Sequence, residues 1–432
     1  MMGVWALCIV AYSLLPFQLL VRNISWQGVI ILIGFIGAYV IGTLIVPTED
    51  KVDATSEVQR LDSTSTETWL KAASLAASLL LLMDATGKSL FDLAASYDLR
   101  SQTADALLHG EGSISSIWFK LAFLLYPAGY VYLAVHIMYA EQVKIWKLVI
   151  FGLLPIALAT LAMGGRMPIL YALIVIWLSL RERKKIGYPE QINPYIEMIK
   201  EWIKPALWIL AIGLLFYYFA VVFIVRAAVV GGAMEMFAIA EDVWGVGFFG
   251  YGSQLLFSVL GEDLTYLFFI FSWYFLQGFV MSNYIFSAYD GPAQMGAYGL
   301  DLMSAVIRRL DPQSLAEGFN ALLELGTYGF FPSAWGTLYV DFGFFGLIFC
   351  VTWGLFNGLC YQRIVNQRRI RWLMFGPFVS LGIFFSVINT PLGFSNGFIT
   401  YFWLMFAFLW LGRNQDQGEG EDGASTSPSG SA

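Results

Sequence analysis

Arg166 stands between two glycines and a proline in the run GGRMP, and apolar sequence extends away on both sides. A charge near the bilayer costs about 2.5–3.5 kcal/mol on insertion scales, so this guanidinium is expected to face a polar cavity or a partner. Gly164 and Gly165 permit a sharp turn and Pro168 suits the first turn of the next helix, which makes Arg166 the cap of a tight hairpin beside free helical N–H groups. Arg226 has a matching setting. It closes FYYFAVVFIVR and is followed by small residues and the pair Gly231 and Gly232. A guanidinium keeps its charge at any relevant pH and forks onto phosphate or carboxylate, so the chemistry on offer is the binding of an anion. Arg100, in YDLRSQ, is a third candidate, although Asp98 and Asp105 offer it an ordinary surface ion pair.

Carboxylates gather further along. Glu317 and Glu324 approach the run GTYGFFPSAWGTLYVDFGFFG, where Asp341 stands at the threshold of a glycine-spaced helix. Any of the three acids can orient or deprotonate a hydroxyl, and Asp341 also reads as a plain helix cap. The aromatic side chains Tyr328, Phe330, Phe331, Trp335 and Tyr339, with Arg308 and Asn320, suit the faces and hydroxyls of a glycan, and the rings equally suit an interfacial belt. Other motifs fall away. ATGKS at residues 85–89 ends like a phosphate loop but has Leu82 where the first glycine belongs. There is no Asp-x-Asp pair and no HExxH; His136 lies inside an apolar run, and His109 is a lone loop histidine. Cys8, Cys350 and Cys360 sit in apolar runs and make neither a disulfide framework nor a metal site. No metal and no cofactor is expected, and nothing points to nucleic acid.

The elements that position these residues are membrane helices. Of 432 residues, 58% are hydrophobic and 13% charged, and the mean hydropathy of +0.67 excludes an ordinary soluble enzyme. Long apolar runs fit a core of roughly 30 Å and argue against a β-barrel. Spans are expected at 4–21, 26–46, 69–86, 117–140, 147–163, 167–181, 205–225, 243–260, 264–286, 342–361, 372–390 and 397–412, about twelve in all. The run at 243–260, rich in glycine and interrupted by Gln254, reads alternatively as a surface or re-entrant segment. The fold class is therefore an all-α polytopic membrane protein, one transmembrane unit over 1–412 followed by a disordered acidic tail over 413–432. The net charge of −7 comes from acids clustered in that tail and in residues 47–68, both expected to be solvated.

Two basic stretches, RERKK and RIVNQRRIR, set the orientation. With an even count both face the cytoplasm, as do the termini and the loops near 47–68, 182–204 and 362–371. Loops near 87–116, 226–242 and 287–341 then lie outside, with TPLGFSN at 390–396. That outer face carries Arg22, Arg100, Arg166, Arg226, Arg308 and Arg309 against the topological trend. Arg22 and Arg309 serve equally well as anchors for lipid headgroups.

The run GGRMPILYALIVIWLSL, a second arginine closing the following span, a large external loop and LYVDFGFFG leading into the next helix together resemble the oligosaccharide repeat unit polymerases, the O-antigen polymerases of the Wzy type. The likeness is one of order and covers residues 99–361, with Asp-Phe-Gly-x-x-Gly its most telling step. It implies a GT-C-like glycosyltransferase of the bacterial inner membrane, joining undecaprenyl diphosphate-linked oligosaccharide units on the periplasmic side. A flippase and a chain-length regulator are the implied partners. O-antigen ligases share the arginines but typically add a histidine in the large loop, and none occurs between Ala288 and Pro332. A transporter or flippase for an anionic lipid-linked glycan, and a scaffold for polysaccharide assembly, are the readings from other classes.

In a polymerase, Arg166 and Arg226 stabilise the departing diphosphate. Alanine at either position should abolish polymer while the protein remains in the membrane, and lysine should restore it only in part. Unchanged polymer length and amount in both alanine variants would refute the assignment.

Overall fold

The computed structural model describes residues 1–47, 63–85, 116–163, 165, 167–186, 213, 216–217, 219–225, 227–367 and 369–411. Arg100, Arg166, Arg226 and His109 lie outside the described residues, as does the tail.

Helix dominates. Helix α1 (Met2–Leu14) stops short of Pro16, and the chain continues as a strand, β1 (Phe17–Leu19). Next come α2 (Trp26–Ile45), α3 (Thr64–Ala85), α4 (Ile117–Leu125) and α5 (Ala128–Tyr139). Helix α6 (Ile145–Met163) carries a widened turn over Leu148–Leu153, and α7 (Met167–Ile186) follows the GGR turn. Beyond the next gap, α8 (Phe219–Val229) and α9 (Ala233–Asp242) meet at 76°, where Gly231 and Gly232 both take φ +113°. Strand β2 (Val246–Phe248) pairs antiparallel with β1, Phe17 opposite Phe248. Helix α10 (Tyr251–Ala288) is interrupted at Gly261. The long segment after α10 holds α11 (Asp301–Leu310) and α12 (Pro312–Glu324), and α13 (Ser333–Phe342), α14 (Gly346–Tyr361), α15 (Gly376–Phe384) and α16 (Gly397–Trp410) follow.

Among the described residues, seven helices are long and apolar enough to cross a membrane, eight if α8 and α9 count as one bent span. The protein is thus an all-α polytopic membrane protein apart from its two short strands. Several expected spans take other forms. The first is a 13-residue helix and a strand, because Pro16 cannot continue the hydrogen-bond ladder. The run 243–260 divides between β2 and the first turns of α10, and 205–225 lies largely outside the described residues. Helix α16 is a shorter apolar helix of 14 residues.

Small residues draw the helices together. Gly42 of α2 abuts the Val351 carbonyl, Gly354 of α14 abuts the Tyr39 carbonyl, and a Cβ on Gly358 would stand 2.9 Å from the Thr43 carbonyl. Such close seams replace the hydrophobic drive that lipid does not supply. Helix α5, AGYVYLAVHIMY, has no polar stripe and is buried on every face, so it occupies the centre. Helices α13 and α14 form a hairpin turned at Gly343 (φ +57°): Gly346 lies against the Leu338 carbonyl, and the Trp335 and Trp353 rings are 5.4 Å apart. A straight helix would hold those two residues about 27 Å apart.

One acid expected in a solvated cluster is interior. Glu67 is 6% exposed and bonded to Ser63, to Lys71 Nζ at 2.9 Å and to His136 Nδ1 at 3.1 Å. The Lys144 N–H donates to His136 Nε2 at 3.3 Å, so Nδ1 carries the hydrogen and donates to the carboxylate. His136 is packed, as its apolar setting implies, and stacks on Tyr132.

Gly354→Ala should lower the thermal midpoint of the detergent-solubilised protein, overpacking of this kind costing about 1–3 kcal/mol. Gly34→Ala, with nothing within 4 Å of the added carbon, should leave the midpoint unchanged or raise it. Equal melting of the two variants would contradict the seam.

Candidate functional site

Asp341 is the last acid of α13 and is 2% exposed. Its two carboxylate oxygens accept the backbone N–H groups of Tyr298 and Gly299, each at 2.9 Å. Two ladder bonds reinforce the contact, Gln294 N–H to the Val340 carbonyl and Met295 N–H to the Asp341 carbonyl. The chain must turn tightly to offer adjacent amides to one carboxylate, and it does so through positive φ at Met295 (+49°) and Gly296 (+90°). Gly299 has no room for a side chain, since a Cβ there would stand 2.8 Å from Asp341 Oδ2. Asp341 therefore neither begins the following helix nor offers a free basic oxygen. It clamps the loop between α10 and α11 to the α13–α14 hairpin.

Tyr298 passes the clamp onward. Its hydroxyl donates to the Phe330 carbonyl at 3.3 Å, and burial, reinforced by the Asp341 charge, pushes the phenol up so that it stays a donor. Helix α12 rests on this loop by Leu315, Gly318, Phe319 and Leu322, with Gly318 pressed on Gln294. Its opposite face shows Gln313, Glu317, Asn320 and Glu324, all exposed and spaced as one helical stripe. Gln313 Nε2 donates to Glu317 at 3.0 Å. The two remaining candidate acids and Asn320 thus share one open polar face. Arg308 lies in the last turn of α11, partly buried, its Nε without a partner among the described residues; burial draws its guanidinium below the ordinary value.

A cavity of about 330 Å³ opens beside this loop. Trp244, Trp273 and Tyr274 line it from one side, and Tyr328, Phe330 and Phe331 from the other. Trp244 and Trp273 both stand edge-on to Phe330, at 5.6 and 6.2 Å. Gln277 supplies a buried amide, and the Trp273 Nε1–H, on a residue 2% exposed, has no partner among the described residues. Aromatic walls with a few fixed polar groups are what a sugar ring or another amphipathic ligand requires. Of the candidate glycan residues, Tyr328 lines this cavity. Trp335 does not: it is fully buried among Trp5, Tyr39 and Trp353, and the hairpin at Gly343 places it in the core. Tyr339 packs between Phe35, Phe286 and Phe344 and acts likewise as packing.

The neighbours of two candidate arginines reach the same region. Phe223, three residues before Arg226 in sequence, packs on Tyr274 at 5.7 Å. Pro168, two residues after Arg166, accepts the Tyr130 hydroxyl at 3.3 Å, and that hydroxyl lies 3.5 Å from Ser395 Oγ. The loop holding Ser395 also touches the clamp, where Gly393 abuts the Gly299 carbonyl. Residues 390–396 therefore bridge the start of α7 and the Asp341 clamp.

From the sequence, residues 390–396 read only as an external loop. Its overlooked signal is GFSNG, a Gly-x-Ser-x-Gly spacing, and both Ser395 (φ +53°) and Asn396 (φ +60°) have left-handed backbone. A serine nucleophile needs a base, and His136, the one described histidine, is engaged with Glu67 and Lys144 instead. Asn396 donates to the Phe123 carbonyl at 2.7 Å, which makes the strained turn a fastening. Among the described residues no cluster of histidine, cysteine and acid could hold a metal. Comparison with protein-family models, curated proteins and solved structures returns no match.

Asp341→Ala leaves two amides unmet, a loss of about 2–6 kcal/mol at about 1–3 kcal/mol for each. Limited proteolysis should then cut residues 289–311 faster than in the parent protein, with a lower melting point. An unaltered digestion pattern would show that the clamp does not hold the loop.

Proposed function

We propose that this protein is a GT-C-like glycosyltransferase of the bacterial inner membrane, crossing it about twelve times, that polymerises undecaprenyl diphosphate-linked oligosaccharide units on the periplasmic face. The observation that carries this reading is the aromatic cavity with its buried indole and amide donors, set against a clamped external loop. The likeness in residue order to repeat unit polymerases supports it.

In the reaction, an acceptor hydroxyl oxygen attacks the anomeric carbon of the donor glycan. The bond from that carbon to the lipid diphosphate breaks, and the diphosphate oxygen keeps the electron pair. Arg166, Arg226 and Arg100 take the charge that develops there without a metal. The hydroxyl proton passes to Glu324 or Glu317 on the open stripe of α12, and Leu323, next to Glu324, lines the cavity. Asp341 is a positioning residue, and Tyr328 stacks on the sugar. A chain-length regulator and a flippase act with the enzyme as partners.

A flippase for the same lipid-linked glycan is the second reading. The network of buried Glu67 and His136 with half-buried Lys71 favours it, since titratable groups within spans are common in transporters.

Purified protein in nanodiscs, supplied with lipid-linked repeat units, should yield a polymer ladder that EDTA leaves intact. Glu324→Gln or Glu317→Gln should slow it by about 10²-fold or more at the true base. Tyr328→Ala should raise KM by roughly 3- to 10-fold, the equivalent of one lost ring contact. No ladder from native substrate, with transbilayer movement of it in proteoliposomes, would replace the polymerase with the flippase.

A further inference from the structure

A second cavity, of about 470 Å³, lies away from the external loop. The ends of four helices enclose it: α2 beyond Tyr39, α7 from Leu178 to Lys185, α14 from Asn357 onward, and the start of α15 at Gly376. Two basic stretches far apart in sequence therefore meet around one space, the end that the positive charges assign to the cytoplasm.

Its lining is unusually polar for this protein. Asn357, 4% exposed, donates from Nδ2 to the Tyr39 hydroxyl at 2.8 Å, but its Oδ1 accepts nothing among the described residues. Gln362, 5% exposed, has an Nε2 that donates to nothing among them. Each unmet buried group costs about 1–3 kcal/mol, so the pair asks for a ligand that accepts at one point and donates at another. Charge narrows the choice. Glu182 Oε2 and Lys185 Nζ neutralise each other at 2.6 Å, and Arg181 remains as the net charge of the wall. A guanidinium beside an amide donor is a phosphate site.

The surroundings identify the source of that phosphate. Leu44 (76% exposed), Ile45 (58%) and Tyr361 (62%) extend from the same helix ends without cover. Acyl chains can lie along this apolar rim while the headgroup turns inward.

We propose that this cavity seats a phospholipid whose headgroup carries its own hydrogen-bond donor, the phosphodiester meeting Arg181 and Gln362 Nε2 and the donor meeting Asn357 Oδ1. Phosphatidylethanolamine and phosphatidylglycerol meet the requirement, through an ammonium and a hydroxyl respectively. Phosphatidylcholine, whose quaternary nitrogen has no hydrogen, does not. The site is separate from the external cavity and stands whichever reaction that cavity performs.

The test is native mass spectrometry of the delipidated full chain, titrated with the three lipids carrying identical acyl chains. Ethanolamine and glycerol lipids should bind roughly tenfold tighter than the choline lipid, the value of one recovered hydrogen bond. Asn357→Leu should erase that preference, and Arg181→Ala should weaken all three. Arg181 is exposed, so its variant tests the site even if the Asn357 variant does not fold. Equal binding of the choline lipid, or unchanged binding by Arg181→Ala, would overturn the proposal. Displacement of lipid by millimolar glycerol 3-phosphate would overturn it in favour of a soluble phosphate ester.

Discussion

One buried carboxylate fixes how the long loop sits on the helices. A charged oxygen pair taken out of water is tolerable only where hydrogen bonds replace the lost solvation, and Asp341 obtains them from two successive amides of a loop that would otherwise run free. The requirement acts in both directions. The loop's own N–H groups, brought against apolar helices, also need partners, and the carboxylate is the acceptor within reach. From this junction the Tyr298 hydroxyl reaches the Phe330 segment and Gly318 seats α12, so the polar stripe and the aromatic cavity hang from a common anchor.

Aromatic rings and glycines divide the remaining work. The rings fill the space between widely separated segments, as where Phe17, Phe248, Phe269 and Phe237 pack together. The glycines remove bulk where backbones must touch, as along α2 and α14. The region around Asp341 is therefore shaped by loops clamped onto helices, and the region around Asn357 by helix termini that leave a polar space between them.

The sequence made the class of the protein legible, because long apolar runs with few charges have one physical outcome. It also made legible that His136 would be packed and that the cysteines would remain free, as all three are. Hydropathy was blind to backbone direction. It could not register that Pro16 turns a span into a helix and a strand, or that a left-handed Gly343 folds α13 back and buries Trp335. Periodicity does place Glu317, Asn320 and Glu324 on one face, whereas the partners of Asp341 lie 42 and 43 positions away in a loop without periodicity. The same limitation hid Glu67: its acid-rich neighbourhood argued for water, and its partner His136 belongs to a different helix.

The small antiparallel sheet has a meaning beyond its three-residue strands. Phe17 pairs with Phe248, which is made more than two hundred residues later. Until then the ladder groups of β1 lack the partner that the finished sheet supplies. The β1 segment is thus made well before it is secured, and its strand is a fastener that closes only once the helices between the two strands have been made.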